Sequence, residues 1–140
     1  MNNEPAADLR SLDRLVGTWR LSEETSGTVR FEWLEGGHFL LQHIDMTLHG
    51  HAVKGLEVIG HLRPFGEEAS PEIWSRVYDA EGNTFDYVYE VADRTLTIWA
   101  GAKGSPAYFR GEFSADGRSN VGAWVYPDGG GYRSTMTRED

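Results

Sequence analysis

The chain contains no cysteine. Disulfides, thiolate metal sites and a cysteine nucleophile are excluded with it. Proline is scarce, 5 residues against 17 glycines, a balance that suits many tight turns better than a helical bundle. Positive charge is short: 13 Lys and Arg face 22 Asp and Glu, for a formal net charge of -9. Nucleic acid and anionic membrane surfaces need lysines and arginines to replace their counterions, so neither is an expected partner. No apolar run reaches the roughly 18 residues of a membrane-spanning helix. The opening residues, Met1 to Pro5, lack the basic and apolar regions of a signal peptide, which makes a cytoplasmic location the expectation. No Gly-x-Ser-x-Gly, phosphate loop or dinucleotide fingerprint occurs. Gly101 to Ser105 has the look of a phosphate-loop end, but Pro106 and a strand follow it where a helix is required.

What is present supports one core. A hydrophobic fraction of 39%, with 12% aromatic, in 140 residues predicts a single domain over 1–140, with a polar, mobile leader over 1–7. The chain is organised around Leu12-Asp13-Arg14-Leu15-Val16-Gly17-Thr18-Trp19. Leu12, Leu15 and Val16 have helical spacing, Asp8 is placed to cap that helix, and Gly17 ends it. Thr18 and Trp19 then open a strand. Such an arrangement lets a short helix plug one mouth of a closed barrel while the indole packs beneath it.

From Gly17 the hydrophobic period changes to two. Strands are expected over 17–24, 28–35, 38–48, 53–62, 73–79, 84–91, 95–100, 107–114, 120–126 and 132–138. Ser26-Gly27, Gly36-Gly37, His49-Gly50, Glu81-Gly82-Asn83, Asp93, Asp116-Gly117 and Asp128-Gly129-Gly130 are the turns between them. Short connections mean antiparallel hairpins. About ten such strands favour an all-β, closed up-and-down antiparallel barrel or a sandwich. Closure also removes the exposed edges that strands this apolar would otherwise present.

Alternation assigns the faces. Val29, Phe31 and Trp33 point inward, against Arg30 and Glu32. With a hairpin at Gly36-Gly37, Trp33 pairs with Leu40 and Phe31 with Gln42, which turns Leu40, Gln42, Ile44 and Met46 inward. A bulge there would instead send Phe39, Leu41, His43 and Asp45 inside. Phe85, Tyr87 and Tyr89 form another inner row. Tyr132, Ser134, Met136 and Arg138 share a face, and closure of first strand on last brings Arg138 to Trp19.

Gly17-Thr18-Trp19 with a late Arg138 resembles the lipocalin and calycin pattern, in which an arginine near the end stacks on that tryptophan. More widely, the chain is similar to an uncharacterised group of bacterial lipocalin-like domains. The matching segments are Leu15 to Trp19, Leu34 to Leu40, Ile59 to His61, Tyr78 to Asn83, Phe109 to Ser114 and Gly122 to Trp124. The resemblance spans most of the chain after residue 11. It implies a barrel, but brings no established activity or catalytic residues. The haem-binding nitrobindins, also ten-stranded barrels, carry their axial histidine near the C-terminus. This chain has no histidine after His61, so no cofactor is expected.

Several groups are candidates for chemistry. His49-Gly50-His51 has a spacing some metal sites use, but Gly50 sits in a turn with no carboxylate motif beside it, so no metal is expected. His43 and Asp45 share a strand face and form either an oriented base or a solvated outer pair. Glu57 and Arg76 lie on neighbouring strands, as an interior ion pair or a rim salt bridge. Phe65, between Pro64 and Gly66 in the longest connection, is either a tip over a barrel mouth or part of a passive connector.

A barrel of about ten strands is wider than its side chains easily fill. The expected function is therefore binding of a small hydrophobic or aromatic molecule in the barrel, without catalysis. Phe31, Trp33, Gln42, Tyr87, Tyr89 and Trp124 are the expected lining. A cyclase- or isomerase-type enzyme is the rival, with Glu57, His43 or a tyrosine as its acid or base. A protein-interaction module with a filled barrel is the third reading, and a homodimer is compatible with the sequence.

Overall fold

A computed structural model describes residues 4–139. Ala7–Arg10 form one α-helical turn, α1, which continues as a 3-10 helix over Ser11–Leu15. Ten strands follow: β1 (Gly17–Glu23), β2 (Thr25–Trp33), β3 (Leu40–Leu48), β4 (His51–His61), β5 (Ile73–Asp79), β6 (Thr84–Ala92), β7 (Thr95–Ala100), β8 (Tyr108–Phe113), β9 (Ser119–Val125) and β10 (Tyr132–Glu139). Each pairs antiparallel with its chain neighbours, and β1 pairs with β10, so the sheet closes into an up-and-down barrel. This closed ten-stranded barrel with one short N-terminal helix fits a lipocalin-like fold. Among the described residues, no helix is long and apolar enough to cross a membrane.

The helical segment differs from the expectation in its winding. Leu9, Leu12 and Leu15, all buried, recur every third residue, the repeat of a 3-10 helix. That period puts all three on the barrel core and leaves Val16 only half-buried. Asp8 does not cap the helix: the cap is Ala6, without a side-chain bond. The Asp8 carboxylate instead meets His61 Nε2 at 2.9 Å, and His61 Nδ1 lies 2.7 Å from the Ser70 carbonyl. His61 thus ties the helix to the β4–β5 connection. Of the leader expected to be mobile, residues 1–3 lie outside the described residues, and the chain is already helical at Ala7.

Trp19 is the centre of the closed end. It has no exposed surface. Its indole N–H donates to the Leu15 carbonyl at 2.8 Å, and the Arg138 guanidinium lies 4.2 Å from its ring centroid. Trp19 and Arg138 are direct β1–β10 partners. Gly17 is required by the same contact: its φ is 126°, and a Cβ there would sit 2.6 Å from Arg138 Nη1.

The β2–β3 register is the expected one, Phe31 opposite Gln42 and Trp33 opposite Leu40. Ser26-Gly27 is not a turn, however. Both residues lie in β2, opposite Thr47 and Met46 of β3. The chain reverses earlier, at Glu23 (φ 73°) and Glu24. There the Thr25 hydroxyl donates to the Ser22 carbonyl at 3.0 Å and Glu24 N–H donates to the Arg133 carbonyl at 3.1 Å.

In this meander, successive connections alternate between the two ends of the barrel. The N-terminal helix enters at the start of β1, so β2–β3, β4–β5, β6–β7 and β8–β9 all lie at its end. Phe65, in the β4–β5 connection, is fully exposed there and stands away from the opposite mouth.

Candidate functional site

The barrel encloses a cavity of about 340 Å³ with Leu15 at its helix-covered end. The volume falls in the range that small-molecule sites occupy. Toward the opposite end the lining passes through Met46, Leu48 and Val53 to Asp79, Phe85 and Tyr132. The inner row of β3 contributes Gln42, Ile44 and Met46, as the alternation requires. The barrel is therefore not filled, whereas the interaction-module reading needs a filled one.

One wall is aromatic. Trp124 contacts Tyr87, Phe109 and Tyr126, with ring centroids 5.7, 5.8 and 6.1 Å away, and Tyr126 continues to Tyr132 at 6.4 Å. Phe109 reaches this position because Gly111 and Gly122 stand beneath its ring. A Cβ on Gly122 would lie 2.4 Å from Phe109 Cζ.

The polar element is centred on Glu57, which is 2% exposed. Gln42 Nε2 and the Tyr89 hydroxyl donate to its Oε1 at 2.5 and 2.7 Å, and the Ser75 hydroxyl donates to Oε2 at 2.7 Å. Glu57, Gln42 and Tyr89 border the cavity, while Ser75 stands behind the carboxylate. Burial pushes the Glu57 carboxyl above its ordinary value, and the three donors, led by Ser75, pull the other way. Burial likewise pushes the Tyr87 and Tyr132 hydroxyls up, with Glu57 adding to the shift at Tyr87.

A carboxyl raised by burial destabilises the fold once it ionises. Its contribution favours the native state at low pH and is lost as pH rises from its ordinary 4.5 through the raised native value. Glu57→Gln keeps the shape and cannot ionise. The Tm difference, variant minus wild type, should therefore grow as pH rises from 4.5. Each pH unit inside the window is worth about 1.4 kcal/mol. Thermal melts of both proteins across pH 4.5 to 8 check this, and a constant difference contradicts it.

Of the six residues expected to line the site, Phe31, Gln42, Tyr87, Tyr89 and Trp124 come together on the cavity. Trp33 does not. Its position at the last rung of β2 carries it to the helix end, where its indole N–H donates to Asp13 Oδ1 at 2.9 Å. The Glu57–Arg76 interior pair is also absent. Arg76 is opposite Val58 in register, so it points outward, and its Nε donates to Asp86 at 2.6 Å. His43 faces outward too, 2.6 Å from Glu32, with Asp45 exposed beside it. His49 and His51 lie at the open end and pair with Glu24 and Glu81. Among the described residues, no group of three or more His, Cys, Asp and Glu is placed to hold a metal.

Sequence reasoning missed Ser75, Met136 and Ile98 as parts of the site or its support. The signal for Ser75 was the alternation of Ile73, Ser75 and Val77 against Trp74, Arg76 and Tyr78. No family model matches the chain, and no curated protein matches it.

Proposed function

We propose that this barrel binds a small, mostly apolar or aromatic molecule in the cavity, as a lipocalin-like domain of the bacterial cytoplasm. One observation carries the reading: a closed barrel holds a cavity of about 340 Å³ with an aromatic wall and a buried polar cluster around Glu57. Apolar sites with few convergent polar groups are the usual form of a small-molecule pocket. The Tyr87 hydroxyl adds an anchor, because it borders the cavity and no hydrogen bond ties it to another described residue.

Trp124 sits on the cavity wall, so an aromatic occupant should quench its fluorescence. Titration with the neutral probe 1-naphthalenemethanol is expected to quench saturably, at one probe per chain. Trp124→Phe should remove most of the quenched signal. Tyr87→Phe and Gln42→Leu should weaken binding severalfold while leaving the circular dichroism spectrum unchanged. Absence of saturable binding across a panel of neutral aromatic probes overturns the reading.

The enzyme reading has one specific observation in its favour. Glu57 is a buried carboxyl on the cavity whose proton affinity is raised, the condition expected of a general acid or base near neutral pH. If a bound molecule is converted, Glu57→Gln should abolish turnover.

A further inference from the structure

The cavity's charge is one-sided. Two carboxylates, Glu57 and Asp79, border it, and among the described residues no lysine, arginine or histidine does. Asp79 is held as an anion at the open end by amide donors of its own turn, led by Asn83. Basic side chains around that end already have acidic partners: His49 lies 3.2 Å from Glu24, His51 3.2 Å from Glu81 and Arg133 3.6 Å from Glu23.

Glu57 is also incompletely coordinated. An ionised carboxylate offers about four acceptor positions. Gln42 and Tyr89 fill two on Oε1, and Ser75 fills one on Oε2. One position on Oε2 has no donor among the described residues. Buried charges are normally paired, and among the described residues no lysine, arginine or histidine borders the cavity to pair with this one. Tyr87 and Trp124, aromatic rings of the kind that attract cations, line the same cavity.

We propose that the occupant of the cavity is an amine: a protonated ammonium on a compact apolar or aromatic body, with the ammonium donating to Glu57 Oε2. This rests on the small-molecule reading above and specifies its ligand class. The three protein donors stabilise the ionised form of Glu57, and the ligand supplies the counter-charge that its burial lacks. A carboxylate ligand, such as a fatty acid, would meet Glu57 and Asp79 with nothing to neutralise it. The net charge of -9 raises the concentration of small cations near the mouth.

Three probes of one shape separate the possibilities: 1-naphthylmethylamine, 1-naphthalenemethanol and 1-naphthoic acid, titrated calorimetrically at neutral pH and physiological salt. The amine is expected to bind roughly tenfold tighter than the alcohol or better, and the acid weakest. Glu57→Gln should remove most of the difference between the two, bringing amine and alcohol within about threefold of each other. Equal binding of amine and alcohol by the wild type, or tightest binding by the acid, overturns the amine proposal and leaves the small-molecule reading standing. An amine preference that survives Glu57→Gln assigns it to general surface charge and overturns the proposal too. Failure of all three probes, and of the neutral panel, removes the small-molecule reading itself.

Discussion

Trp19→Ala should cost about 3–5 kcal/mol, the range for deleting a large buried aromatic. For a chain of this length that corresponds to a fall in Tm of about 10–15 °C. Trp19 has no exposed surface and is covered by Leu12 and Leu15, which have none either. The deletion therefore leaves a void that neither the helix nor the sheet can refill without moving. Leu15 is both the partner of the indole N–H and a wall of the cavity, so the void lies next to the cavity. Trp19→Phe retains the packing and loses the hydrogen bond, and should cost only about 1 kcal/mol beyond the volume difference. Thermal melts followed by circular dichroism separate the three proteins. An alanine variant with unchanged Tm contradicts the assignment of Trp19 as the keystone of the closed end.

The sequence was most legible where a local pattern and a turn agreed. Val29, Phe31 and Trp33 alternate with Arg30 and Glu32, Gly36-Gly37 sets the reversal, and the observed register follows from the two together. Trp19 and Arg138 were legible for a different reason: closing a ten-stranded meander leaves the first and last strands no other partner. Glu57 was harder. Its inward direction follows from alternation, but its partners depend on the β4–β5 register, and a slip of one residue exchanges Ser75 for Arg76 on the inner face. The long connection over 62–72 hides that register, because no tight turn fixes it.

Two other discrepancies have simple physical causes. Trp33 and Phe31 share a face, yet only Phe31 reaches the cavity, because position along the strand decides depth and alternation does not report it. Phe65 was placeable by parity. A helix that precedes β1 covers the end to which every even-numbered connection returns, so the β4–β5 loop lies beside the helix and away from the open mouth. The open mouth is instead framed by the β1–β2, β3–β4, β5–β6, β7–β8 and β9–β10 connections, where carboxylates meet His49, His51 and Arg133.

Arg138→Ala should be the second large loss, about 2–4 kcal/mol, because hydrogen bonds from a charged donor contribute more than neutral ones. The Arg138 guanidinium donates from Nη1 to the Val16 carbonyl at 2.6 Å, from Nη2 to the Arg14 carbonyl at 2.6 Å and from Nε to the Gly117 carbonyl at 3.1 Å. The first two close the end of the 3-10 helix, whose last carbonyls have no partner within the helix. The third fastens the β8–β9 turn to the same point. Arg138→Lys keeps the charge but lacks the planar fork, so it should recover less than half of the loss. A double-mutant cycle with Trp19→Ala isolates the ring contact, where a coupling of about 0.5–2 kcal/mol is expected for a cation stacked on an indole. Additive losses in that cycle would mean that Arg138 acts through the three carbonyls alone. A full-strength Arg138→Lys variant would mean that the fork geometry holds nothing together.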